Sequence, residues 1–104
     1  MDALAIPPAA VRDQQSVELF RAWIAERGLH CAVRVGMYAD QGIEDETRAW
    51  GVILADALQH IADALASQGF GLRDDLMHAV IKSFHAELAS PTSGRTGEFV
   101  VRPN

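Results

Sequence analysis

Between Leu29 and Met37 the chain alternates without a miss: Leu29, Cys31, Val33, Val35 and Met37 on one side of a two-residue period, His30, Ala32, Arg34, Gly36 and Tyr38 on the other. A strict period of two predicts a strand, because successive side chains of an extended chain point to opposite faces of a sheet. The first set is wholly apolar and has to be covered. The second, with His30 and Arg34, has to be at least partly wet, which is the pattern of a sheet covered on one side only. Any fold for this sequence must therefore supply a roof for the valines and neighbours for the strand's two edges.

Helical spacing supplies candidates for the roof. Val17, Phe20, Trp23, Ile24 and Arg27 recur at three and four residues between Asp13, a good helix cap, and Gly28, and predict a first helix over Gln14 to Arg27. After the turn Asp40-Gln41-Gly42, the carboxylates of Glu44, Asp45 and Glu46 suit the positive end of a helix dipole. A second helix is predicted from there to Gln68, with Trp50, Leu54, Ala57, Leu58, Ile61 and Leu65 in its stripe. Gly51 inside it costs about 1 kcal/mol against alanine and suggests close packing on a neighbouring helix. A third helix, Arg73 to Ala89, carries Leu76, Met77, Val80, Ile81, Phe84 and Leu88 on one face. Glu98 to Arg102 predicts a closing strand. The expected fold class is α+β: three helices packed on one face of a small antiparallel sheet, in the order helix, strand, helix, helix, strand. Residues 1–12, rich in Ala and Pro and stiffened at Pro7-Pro8, are expected to be an extended arm ahead of a single domain over residues 13–104.

Composition narrows the function classes. The 104 residues suffice for one core, and 49% apolar with 22% charged residues lies outside the disordered and low-complexity classes. A net charge of −5 opposes a phosphate backbone, so nucleic-acid binding is not expected. Apolar runs are too short to span a bilayer, and Lys82 is the only lysine, so neither membrane insertion nor a basic membrane-binding stripe is expected. One cysteine, Cys31, and an acidic Asp2 where a secretory signal carries positive charge point to the cytoplasm.

Three stretches carry a resemblance: Ile6-Pro7-Pro8-Ala9-Ala10, the run Val17 to His30 (VELFRAWIAERGLH), and Ala49 to Asp56 (AWGVILAD). Together they resemble the bacterial domain-of-unknown-function family 5076 over most of the chain up to about Leu65. The resemblance implies a soluble bacterial setting. It brings no activity, cofactor or catalytic residue, and these strings contain no chemical motif.

The residues capable of chemistry read best as structure. Asp56, His60 and Asp63 share a helix face at i, i+4 and i+7, but the two carboxylates lie about 10.5 Å apart along the axis at 1.5 Å per residue, too far for one metal shell. His78 and His85 flank Lys82, whose charge would repel a cation. Cys31 belongs to the apolar strand face and His30 to the opposite one, so they cannot act as a thiolate–imidazole pair. Ser93 to Gly97 has the glycines and hydroxyls of an anion loop, lacks the Gly-Lys-Ser/Thr ending and leads into a strand, and reads as a turn. No catalytic, cofactor-binding or metal-binding residue is assigned.

Two functional readings follow. Two strands make a marginal sheet, and the outer edge of the Leu29–Met37 strand carries no Pro or Lys to blunt it. A second copy pairing there predicts a homodimer with a continuous four-stranded sheet, unless the N-terminal arm covers the edge. In that reading the chain is a noncatalytic interaction module presenting His30, Arg34 and Tyr38 to an unidentified protein partner. The alternative is a small-ligand binder or minor enzyme with a pocket between helices and sheet, walled by Trp23 or Trp50.

Overall fold

The segment after Asp13 is where sequence and structure part. In the computed structural model, which describes residues 1–92 and 94–102, the Asp13 carboxylate does not cap a helix; it accepts the Gln15 amide at 2.9 Å in a local turn. Phe20–Ala25 then form a strand, β1, joined through Glu26-Arg27 to a second strand, β2, over Gly28–Val35. The pairing is antiparallel, from Phe20 opposite Val33 to Ala25 opposite Gly28. Apolar residues at 20, 23 and 24 fit a helix, but positions 20, 22 and 24 fit a strand equally well, and cross-strand packing decides. Glu26 and Arg27 both have positive φ, 51° and 64°, the two-residue turn that matches strand twist and that usually recruits Asn and Gly.

The other elements follow their periodicity closely. Pro7 keeps a polyproline-like ψ of 139°, while Pro8 opens a short helix, α1 (Pro8–Arg12), so the expected extended arm ends in a helical turn. β2 leads through Gly36, at φ 91°, and a single 3-10 turn at Ala39–Gln41 into α2, Ile43–Ser67. Gly69, at φ 81°, ends it in the left-handed conformation expected of a helix stop, and α3 follows over Arg73–Ala89. The last strand, β3 (Thr96–Val101), pairs with β2 in parallel register, His30 opposite Thr96 and Val35 opposite Val101. The chain is thus α+β, with a three-stranded mixed sheet in the order β1-β2-β3 and β2 at its centre. The antiparallel closure expected above assumed that each helix runs back along the sheet. Here the helices pack on each other and meet the rest of the chain at the 3-10 turn, so their direction does not dictate that of β3.

The sequence stripes also fail to build one common core. Among the described residues only Ala62 and Glu46 are buried, and α2 and α3 do not roof the sheet of their own chain. Gly51 has no neighbour within 4 Å of where a Cβ would stand, so the close helix contact expected there is not made within the chain. Accessible surface totals 8860 Å², against about 5,700 Å² for a compact monomer of this mass. The radius of gyration is 15.7 Å, against about 13 Å for a compact chain of this length.

Candidate functional site

The strand registers sort the sheet into two unlike faces. One face receives Phe20, Ala22 and Ile24 from β1, Leu29, Cys31, Val33 and Val35 from β2, and Gly97, Phe99 and Val101 from β3. Not one of these is charged. Ile24 is 86% exposed and Phe99 68%, and Phe20, Leu29 and Val101 are exposed as well. This is the face that alternation said must be covered, and among the described residues neither α2 nor α3 lies against it; only the arm comes near its β1 border, at Phe20 and Ala22. A contiguous apolar surface of this kind is unusual for a monomer, since single exposed hydrophobes are ordinary and connected ones are not.

The opposite face carries Arg21 and Trp23 from β1, His30, Ala32 and Arg34 from β2, and Thr96, Glu98 and Val100 from β3. The Arg21 guanidinium lies over the Trp23 ring at 5.9 Å and is held at 2.9 Å by Glu18. Arg34 donates from Nε to the Glu18 carbonyl at 3.1 Å, and His30 Nε2 stands 3.1 Å from the Ala25 carbonyl. Arg34 and His30, two of the three residues of the expected interaction face, therefore each have one side-chain nitrogen tied to backbone. Tyr38 does not join them. The strand ends at Val35, Gly36 turns the chain out of the sheet, and the Tyr38 amide is drawn toward α2.

What draws it is Glu46, the residue that the dipole argument treated as one of three equivalent carboxylates. Its side chain accepts the Gly36 amide at 2.8 Å, the Tyr38 amide at 2.9 Å and the Trp50 indole N–H at 3.0 Å. The two backbone amides first, and the indole after them, hold this carboxyl below the usual carboxylate range, outweighing the opposing effect of burial. An Arg102–Asp40 pair at 2.6 Å and an Arg102 amide to Val35 carbonyl bond at 2.7 Å tie the end of β3 to the same corner. The corner thus fixes how α2 leaves the sheet. Only its composition, a carboxylate one helical turn before a tryptophan, was visible in the sequence.

Trp23 and Trp50 do not share a wall. Trp50 serves the Glu46 corner, whereas Trp23 borders a cleft of about 800 Å³ between β1 and the arm, lined by Leu4, Ile6 and Val11 on the arm side. Among the described residues the helices and the sheet stand apart, so the two indoles do not meet across the helix–sheet pocket expected between them. The outer edge of β2, the expected dimer edge, is occupied by β1, and the arm flanks β1 instead. Asp56 and His60 are an exposed pair at 3.4 Å, and Asp63 is engaged by Arg73 at 2.7 Å. Among the described residues no three His, Cys, Asp or Glu side chains gather where they could hold a metal ion. Ser93 of the anion-like stretch lies outside the described residues, and Gly97 of that stretch belongs to β3.

Comparison with known proteins gives a family and a fold. The family model described as Domain of unknown function (DUF5076) matches residues 3–92. A solved structure, "a putative pyruvate dehydrogenase from the photosynthetic bacterium Rhodopseudomonas palustrus CGA009", is similar at 25% identity with a TM-score of 0.68, over 100% of this chain and 97% of that one. No curated protein matches. No helix is long and apolar enough to cross a membrane among the described residues.

Proposed function

Since the chain belongs to the DUF5076 family, whose description assigns it no activity, we propose that it is a noncatalytic module that works by self-association. One observation carries this reading: a single chain leaves about 3,000 Å² more surface open than a compact monomer of its mass. Over two copies that excess comes to about 6,000 Å², at the upper end of obligate homodimers, whose interfaces bury about 2,000–5,000 Å² or more in total. The apolar part of that surface favours association over solvation at about 25 cal/mol per Å². The polar face with His30 and Arg34 is left for a further protein partner.

Sedimentation of the full chain at micromolar concentration tests the proposal. The expected mass is that of two chains, each of 11.3 kDa. Sedimentation as a single chain would overturn the reading.

A further inference from the structure

We infer that the apolar sheet face of one copy is roofed by the α2–α3 pair of a second copy, and reciprocally, about a twofold axis. This rests on the self-association proposed above and says which surfaces carry it.

Two apolar surfaces of the same chain lack partners among the described residues. One is the sheet face, with Ile24 and Phe99 at its flanking strands and Val33 at its centre. The other is on the helices. Leu54 and Ile61 on α2, and Phe84 and Leu88 on α3, remain exposed after α2 and α3 have packed together. They extend the three-and-four spacing that marks a buried helix stripe. Each surface is what the other requires, since a helical layer is the ordinary cover of a one-sided sheet. Their own chain does not bring them together. Glu46 pins the first turn of α2 to the amides of Gly36 and Tyr38, and Arg102 pins the end of β3 to the same corner, so the helix pair departs from the sheet at a fixed angle.

Area decides between this arrangement and pairing along a sheet edge. The free edges are six-residue strands, and joining them leaves both apolar surfaces wet. An excess of about 3,000 Å² per chain, to which the exposed arm residues Leu4, Ile6 and Val11 also contribute, takes faces rather than a backbone seam to cover. Stacking two sheets face to face would hide one surface and leave the helix stripes exposed. Reciprocal roofing hides both, and because the same two patches meet twice, the assembly closes at two copies rather than growing into a filament.

The native thiol reports on the roof, because Cys31 lies on the central strand of the apolar face. The experiment measures sedimentation mass together with the rate of Cys31 alkylation by N-ethylmaleimide, for the native chain and for Phe84→Glu. Leu88→Glu is the second variant, and far-UV circular dichroism verifies that each keeps its helices. The native chain is expected at the mass of two chains, with Cys31 protected. Both variants are expected at the mass of one chain, with alkylation faster by about tenfold or more as the cover is lost. A dimer that survives both helix variants, or a native dimer whose Cys31 reacts as fast as it does in the variants, overturns the roofing while leaving self-association standing. A native protein that sediments as one chain overturns both.

Discussion

Gly97→Ala is expected to strip β3 from the sheet. Gly97 stands opposite Cys31 in the parallel register, and a Cβ built on it would overlap the Cys31 carbonyl oxygen, a backbone atom that cannot rotate aside. The two strands must separate or lose their register, and a one-residue slip would turn Phe99 and Val101 out of the apolar face. The loss reaches the corner as well, since Arg102 would leave both Val35 and Asp40. A destabilisation of about 3 kcal/mol or more follows, in the upper range for a point substitution. Chemical denaturation measures it, and amide exchange along β2 shows whether the β3 side has opened. Gly94→Ala is the control: nothing lies within 4 Å of its Cβ position, and the change should stay within about 0.5 kcal/mol. Equal stability of the two variants would mean that β3 does not pair as described.

The second large effect belongs to Glu46→Gln. Three N–H groups converge on the carboxylate, and an amide can offer them one oxygen while turning its own donors toward the rest. The variant should melt several degrees lower at neutral pH, with α2 loosened from the corner. The pH dependence has a definite sign. A carboxyl held below its ordinary range contributes stability that is complete above the unfolded-state value and is lost as pH falls through the lower folded-state value. Glu87 acts in the same direction, its carboxylate accepting first the hydroxyl and then the amide of Thr92. The native chain should therefore lose stability on acidification. Glu46→Gln should lose less, and the gap between the two should close at low pH. Melting temperatures across an acid series test this, with Trp50 emission in a Trp23→Phe background reporting on the corner itself. A gap of constant size at every pH would mean that the charge of Glu46 plays no part.

The elements with a long, unambiguous period are legible in the sequence: α2, α3 and β2 fall within a residue or two of where spacing puts them. β1 is not, because six residues containing Phe20, Trp23 and Ile24 satisfy both periods and because Glu26-Arg27 gives no chemical sign of a hairpin turn. Reading that segment as a helix removes a strand, and with it the fact that β2 is central and that its expected free edge is taken. The requirement that the Leu29–Val35 face be covered holds as physics. That α2 and α3 do not supply the cover does not show in stripes, which record that a surface is apolar and not what lies against it. His30 and Arg34 do share one face, as alternation places them, but their bonds to backbone depend on β1 and the residues leading into it, where helical spacing points to a different element.

The parallel pairing of β2 and β3 sets an order of events during synthesis. The two strands are separated by about 60 residues, so at the ordinary pace of 5–20 residues per second the ribosome needs about 3 to 12 s to deliver the second after the first. Through that interval the β1–β2 hairpin, closed by a two-residue turn, is complete while the other border of β2 stays bare. The arrival of Thr96–Val101 ends that window.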